Sequence, residues 1–226
     1  METIPLRARI LETIVRKSTL KQKVFDSTFW AFNQLKETLL EMASEMDDEL
    51  DGKLDRRVRL RDRGKFEAQL QIANDLLIFQ MHTDVFEFDD AHPIWKTPYV
   101  QADRENSYCG VVNIYNFLSD SFKFNRNADE GYLIGRLFIN RDRRYFVEGK
   151  GQTTLRAADF GKDEIDHDAL IAILESAIAF SLDFDLLLPP YEENKRVTVD
   201  QFNTKMDNSK FVTGKRLGYE FNVEDI

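Results

Sequence analysis

The sequence predicts an α+β protein with a mainly antiparallel sheet, one long buried helix packed on a face of that sheet, and an N-terminal helical segment. Residues 57–71 and 131–149 alternate apolar and polar side chains, as strands with one buried face do. Residues 169–182 are apolar on nearly all sides, which is typical of a helix buried in a core. Residues 6–50 repeat apolar side chains at threes and fours, which indicates amphipathic helix.

The length of 226 residues fits one compact unit, in which we expect a helical arm over residues 1–52 and an α+β core domain over residues 53–226. The formal net charge of -9 argues against a general nucleic-acid binder, because it repels polyphosphate at long range. Cys109 is the only cysteine, so no intrachain disulfide can form. The N-terminus lacks a signal-peptide pattern and no apolar run is long enough for a bilayer, so we expect a cytoplasmic protein without a membrane partner.

The N-terminal segment predicts two helices. Pro5 suits the opening turn of a short first helix that carries Leu6, Ile10 and Ile14. The second helix has a seam that approximates a heptad repeat, made of Phe25, Phe29, Phe32, Leu39, Met46 and Leu50, with Lys36 and Ala43 at the remaining seam positions. We favour an amphipathic helix that packs on its own sheet, and a helix-to-helix homodimer is the alternative. The acidic run over residues 46–53 predicts the end of this helix.

The first predicted hairpin turns at residues 62–64, where Gly64 supplies a left-handed backbone position. This loop places Leu60 opposite Phe66 on the apolar face and Arg59 opposite Glu67 on the polar face. Two further hairpins are predicted in the same way. Their pairs are Leu70 with Leu77 across a turn at 73–74, and Ile139 with Tyr145 and Arg136 with Glu148 across a loop at 141–143.

Asp163 is predicted to cap the buried helix, which runs to about Asp183. Its first turn holds further acidic residues, which the helix dipole favours. The remaining predicted elements are a long loop over residues 89–109, a capping-box helix from Thr198 to about Met206 and a final strand over residues 217–223.

The strongest candidate site is the polar face of the first hairpin. It carries Arg57, Arg59, Arg61 and Lys65, with Arg63 at the loop tip. Arginine forks match the geometry of carboxylate and phosphate, so this face can bind a small anion or an acidic protein surface. The alternative is a solvated face balanced by the acidic segment over residues 159–193, either of the same chain or of a second subunit.

A metal site is the second candidate. His82, Asp84 and His92 are imidazole and carboxylate ligands at short spacing, as divalent metals require. The spacing matches no established metal motif, so we predict no metal and no cofactor. Residues 149–154 lack the spacing of a phosphate loop, and Cys109 has no nucleophile-elbow context.

These patterns favour a non-catalytic binding protein that uses its arginine-rich sheet face for an anionic ligand or an acidic partner. The alternative is a small metal-assisted hydrolase built on His82, Asp84 and His92. Nucleic-acid binding ranks third because of the net negative charge.

Overall fold

A computed structural model describes residues 5–50, 58–127, 129–149, 160–183 and 198–199. The helices in these ranges are α1 (Leu6–Leu50), α2 (Pro98–Ala102), α3 (Ser119–Lys123) and α4 (His167–Leu182). The strands are β1 (Arg59–Asp62), β2 (Glu67–Ile72), β3 (Asp75–Met81), β4 (Cys109–Leu118), β5 (Tyr132–Asn140) and β6 (Tyr145–Gly149). Short 3-10 helices cover Pro93–Lys96 and Arg104–Ser107 within the segment predicted as a long loop.

The strands form an antiparallel sheet in the order of the chain, from β1 at one edge to β6 at the other. With its helices, this sheet confirms the predicted α+β class. Two predicted registers are also confirmed, since Leu70 lies opposite Leu77 and Ile139 lies opposite Tyr145. Arg136 lies opposite Glu148, as predicted from the loop at 141–143.

The predicted register of the first hairpin is wrong. Arg59 lies opposite Gln71, not Glu67, and Leu60 lies opposite Leu70, not Phe66. The loop is longer because Phe66 stays in it and packs its ring against Phe29 of α1, with the ring centroids 6.0 Å apart. The shift is even, so the paired residues of β1 and β2 keep the faces that the alternation predicted. Lys65, which lies in the loop, does not keep its predicted face.

The loop between β1 and β2 is also tied to α1. Lys36 Nζ donates hydrogen bonds to Asp62 Oδ1 and to the Gly64 carbonyl oxygen, both at 2.7 Å. The amide of Gly64 donates to the same Asp62 carboxylate at 2.9 Å. Lys36, which interrupts the apolar seam in the sequence, therefore fixes the end of the first hairpin.

The N-terminal segment forms one continuous helix, so the prediction of two separate helices is wrong. From Leu20 onward, α1 buries one side chain or more in nearly every turn against β1, β4, β5 and α4. Phe32, Leu35 and Leu39 are completely buried in this core. The helix therefore packs on its own sheet, which was the favoured interpretation of its seam. Leu50 is the last residue of the helix, within the predicted acidic run.

Helix α4 covers the same apolar face, with Leu174 and Ala177 in the core. Its cap is Asp166 rather than the predicted Asp163, and the Asp166 side chain accepts a hydrogen bond from the amide of Ala169 at 2.9 Å. The helix begins late because Ile165 donates its amide to the carbonyl oxygen of Arg143 at 2.9 Å and so stays extended.

The segment between β3 and β4 packs on the opposite sheet face. It is attached by a bridge between Phe86 and Cys109 and forms a second core with β5 and β6. The residues of this second core are Ile94, Val100, Cys109, Val111, Phe138, Phe146 and Phe160. The part of this face over β1, β2 and β3 contains the candidate site.

Several predictions concern residues outside the described ranges. They are the acidic boundary after Leu50, the position of Arg57, the helix from Thr198 to Met206 beyond residue 199, and the strand over residues 217–223. No helix within the described ranges has both the length and the apolar character needed to cross a membrane.

Candidate anion-binding groove

A groove of about 580 Å³ lies over the edge of the sheet formed by β1, β2 and β3. Arg59, Arg61 and Arg63 line it from β1 and the loop that follows. Leu76 lines it from β3, and the remaining described lining residues are Gln71, Ser119, Asp120, Phe122, Lys123 and Asn125. We call this set the basic groove.

The antiparallel register explains why these residue types meet. Arg59 pairs with Gln71, Gln71 pairs with Leu76, and Leu76 pairs with Phe117. Directly paired residues point to the same face of a sheet, so these four side chains form one row across four strands. The row runs from a guanidinium through an amide and an aliphatic group to an aromatic ring.

The next row on this face repeats the order. Arg61 pairs with Gln69, Gln69 pairs with Ile78, and Ile78 pairs with Tyr115. Positive charge is therefore concentrated at the β1 edge, and apolar and aromatic groups lie towards β4. This order follows from the sequence of each strand and the registers, and no single stretch of sequence contains it.

Helix α3 supplies the wall of the groove opposite the arginines. The amide of Ser119 donates to the carbonyl oxygen of Asn74 at 2.8 Å, which ties the start of α3 to the turn between β2 and β3. This contact brings Phe122 and Lys123 to the groove. The ring of Phe122 meets the ring of Phe117 edge to face, with the centroids 5.2 Å apart.

The arginine charges in the groove are not neutralised by described neighbours. Arg61 Nη2 donates to Gln71 Oε1 at 3.4 Å, and Arg63 Nε donates to Gln69 Oε1 at 3.2 Å, so both partners are uncharged. Arg59 makes no hydrogen bond or ion pair with a residue that the structure describes. Asp120 is the one acidic side chain among the described lining residues. With Lys123, basic side chains outnumber acidic ones in the described lining, so its formal charge is positive.

Lys65 does not line the basic groove, and it lines a separate cavity together with Arg63. Its Nζ lies 4.9 Å from the centroid of the Phe29 ring and 5.2 Å from that of Phe66, on the side of the hairpin that faces α1. Of the residues predicted for the site, Arg59 and Arg61 line the groove and Arg63 joins them. The prediction for Arg57 lies outside the described residues.

Phe122 and Lys123 were not recognised as site residues. They follow β4 in a stretch that looks like an ordinary polar connection, and their place at the groove depends on how α3 packs. One signal was present in the sequence, since Phe122 is a large apolar residue in a polar segment. Its side chain is 46% exposed.

The acidic segment over residues 159–193 was the alternative cover for the arginines. Its described part, residues 160–183, contains α4, and α4 packs on the apolar face with α1. That is the face opposite the basic groove. Residue 159 and residues 184–193 lie outside the description.

The three residues of the metal alternative have other contacts. His82 Nδ1 accepts from the amide of Asp84 at 3.0 Å, while His92 Nε2 lies 2.9 Å from Glu148 Oε1. The Nδ1 atom of His92 accepts from the amide of Ile94 at 3.2 Å, which makes His92 the cap of a 3-10 helix. Within the described ranges, no three His, Cys, Asp or Glu side chains come together as a group that could hold a metal.

Cys109 is fully buried in the second core as a free thiol. Burial raises the pKa of this thiol far above its ordinary value, because a thiolate would lose its hydration there. A thiol that stays protonated is a poor nucleophile. Cys109 therefore acts as a small packing residue.

Comparison of the chain with protein-family models, with curated protein sequences and with solved structures finds no match. The function is therefore inferred from the fold and the groove.

Proposed function

We propose that this protein is a non-catalytic binding protein whose basic groove holds a small anionic ligand. One observation carries this proposal. Arg59, Arg61 and Arg63 line the same groove, and their described hydrogen-bond partners are uncharged. The planar fork of a guanidinium group matches a pair of oxygens of a carboxylate or a phosphate, and several guanidinium groups on a concave surface can act together on one anion.

The shape of the surface favours a small anion over an acidic protein. Small-molecule sites are concave and typically enclose roughly 300–1,000 Å³. The basic groove, at about 580 Å³, falls within that range. Protein partners more often meet flatter surfaces that bury about 800 Å² on each side. An acidic protein surface is accordingly the other outcome that the experiment distinguishes.

The metal-assisted hydrolase stays an untested prediction, and no contact in the structure favours it. His92, one of its three proposed ligands, already contacts Glu148 and the amide of Ile94. Since first-shell ligands lie roughly 2 Å from a metal ion, His92 would have to leave both contacts to bind one.

The proposal is tested by charge reversal in the groove. We expect inorganic phosphate and citrate to bind the wild-type protein in a calorimetric titration, and the double variant Arg59→Glu with Arg61→Glu to lose this binding. The matched control is Lys21→Glu with Lys96→Glu, which changes the net charge equally at exposed positions outside the groove and outside the first turns of α1. Equal binding by the wild type and the groove variant, or equal loss in the control, would overturn the proposal.

A second titration separates a small ligand from a protein partner. Binding of phosphate or citrate that saturates at one site per chain supports a small anion. If both fail to bind while a polyglutamate peptide binds and is lost in the groove variant, the partner is an acidic protein surface instead. Either titration is run at two salt concentrations, because exposed ionic contacts weaken as salt rises.

We also propose that the protein associates with itself through the first turns of α1. The supporting observation is a set of large aliphatic side chains that α1 leaves exposed: Leu6, Ile10, Leu11, Ile14 and Val15. Contiguous exposed apolar residues often mark protein contacts. We further propose that the protein works in the cytoplasm. The buried free thiol of Cys109 is compatible with a reducing compartment.

A further inference from the structure

We infer that the ligand of the basic groove is a ring-bearing anion, in which a carboxylate or phosphate is attached to a flat apolar group. This inference rests on the proposed function and names the ligand class of the same site. Its basis is the order of side chains across the groove, which places the three arginines at one end and Leu76 and Phe122 at the other, where the charged residues Asp120 and Lys123 also line the wall.

The charged end alone accounts for only part of the groove. Arg59 and Arg61 lie on β1 and Leu76 lies on β3, two strands away. Neighbouring strands are about 4.8 Å apart, so the two ends are separated by roughly 10 Å. A bare phosphate bound to the arginines would leave the Leu76 end empty. A ligand that fills both ends has its anion and an apolar group joined in one molecule.

Phe122 makes that apolar end suitable for a ring. Phe122 is 46% exposed, although most of the large apolar residues that the structure describes are less exposed than this. The ring of Phe117 packs against it edge to face and supports it from the sheet side. A flat ring that enters the groove can stack on Phe122 while it covers Leu76.

The polar side chains between the two ends fit such a ligand. Gln71 accepts a hydrogen bond from Arg61 through its Oε1, so its amide group keeps donors for a ligand oxygen. Asn125 and the Ser119 hydroxyl add donors and acceptors on the α3 side. Pockets for small molecules are commonly built in this way, with an apolar surface and a few polar groups that fix orientation.

The test compares two ligands of equal charge. Methyl phosphate and phenyl phosphate differ only in the group on the ester oxygen, and benzoate presents the ring on a carboxylate. We expect the wild-type protein to bind phenyl phosphate about tenfold more tightly than methyl phosphate, which is the order of a single aromatic stacking contact. We expect Phe122→Ala to remove this preference while it leaves the affinity for methyl phosphate within about twofold.

The control is Phe86→Ala, which removes an exposed phenylalanine outside the groove. It should keep the tenfold preference. Phe122 lies on the surface, so both variants should fold, and urea unfolding of each verifies this. Benzoate that binds more tightly than phenyl phosphate would identify a carboxylate ligand, because benzoate carries the smaller negative charge and charge alone favours phenyl phosphate.

The results that would contradict this inference differ from those that would contradict the proposed function. If methyl and phenyl phosphate bind equally well to the wild type, or if Phe122→Ala keeps the preference, the inference of a ring-bearing ligand is wrong. The proposal that the groove binds a small anion is unaffected by either result. If none of the three ligands binds, the proposed function itself is wrong. If the double variant Arg59→Glu with Arg61→Glu still binds phenyl phosphate as tightly as the wild type, both the inference and the proposed function are wrong.

Discussion

Gly110 of β4 and Thr28 of α1 lie in direct contact where the long helix packs on the sheet. A Cβ atom added to Gly110 would lie 2.2 Å from Thr28 Oγ1 and 2.8 Å from Thr28 Cβ. Thr28 is completely buried, and its hydroxyl donates to the carbonyl oxygen of Val24 at 2.7 Å. The helix can lie flat on the sheet at this point only because residue 110 has no side chain.

Gly110→Ala should therefore lower the free energy of unfolding by about 1–3 kcal/mol, the usual cost of forcing a methyl group into a packed core. A rotation of Thr28 does not relieve the clash, because its Cβ is one of the atoms too close. The matched control is Gly135→Ala, whose added Cβ would meet its nearest neighbour, Ile114 Cδ1, at an ordinary 3.5 Å. Urea unfolding of both variants measures the difference, and equal losses would contradict the close approach.

Arg141 holds the segment between β3 and β4 onto the β5–β6 hairpin. Its Nη2 lies 2.6 Å from Asp103 Oδ2 and its Nη1 lies 3.0 Å from Glu105 Oε2. We expect Arg141→Ala to destabilise the protein by about 1–2 kcal/mol, because charged hydrogen bonds are stronger than neutral ones but these are partly exposed. Arg141→Lys should lose less, since it keeps the charge. Hydrogen exchange should increase first in residues 98–107, and unchanged exchange there would contradict this role.

The contact between Arg141 and Asp103 also predicts that the free energy of unfolding depends on pH in the acidic range. The Glu105 amide, and then the Arg141 guanidinium, hold the pKa of Asp103 below its ordinary value of 3.8. The stability that Asp103 contributes is thus present above about pH 4 and is lost as the pH falls through its lower folded value. Unfolding measured from pH 6 to pH 2 should show a shallower decline for Asp103→Asn than for the wild type. Parallel curves would show that Asp103 does not contribute.

The surroundings of Tyr99 predict that the free energy of unfolding depends on pH in the alkaline range. Burial, followed by the hydrogen bond to Asp142, raises its pKa from 10.0 to about 12 against the opposing bond from Asn140. Because the unfolded chain ionises this phenol first, the protein should lose stability as the pH rises from about 10 to 12. Tyr99→Phe should flatten this loss and cost about 1 kcal/mol at pH 7, since it removes the hydroxyl that bonds Asp142 at 2.7 Å. Identical alkaline curves for the two proteins would refute the assignment.

The first turns of α1 should contribute to association and not to folding. Ile10 and Ile14 are about half exposed, whereas Phe32 on the same helix is completely buried. We expect Ile10→Glu with Ile14→Glu to change the free energy of unfolding by less than about 0.5 kcal/mol, and Phe32→Ala to lower it by about 3–5 kcal/mol. Sedimentation velocity should show that the double variant loses any concentration-dependent association of the wild type. A large destabilisation by the double variant would mean that these turns are packed within the chain.

Much of the sheet could be predicted because alternation is a local property. Val58, Ala68 and Leu70 are buried on one face while Arg59 and Arg61 are exposed on the other, as the sequence indicates. Short loops also fixed two registers, since a loop of two or three residues leaves few ways to pair the strands. The first hairpin was different, because contacts of Phe66 and Lys36 across the fold decide where its loop begins and ends.

By itself, the amino-acid sequence determined the class of the fold, the buried face of the first hairpin and the surface on which Arg59 and Arg61 lie. The tertiary structure decided that α1 is one helix, that Lys65 points away and that Phe122 and Lys123 complete the groove. The physical reason is the distance along the chain over which each kind of interaction acts. Side-chain alternation acts between neighbours along the chain, whereas a groove is formed by side chains that meet only after the strands have paired and α3 has packed beside them.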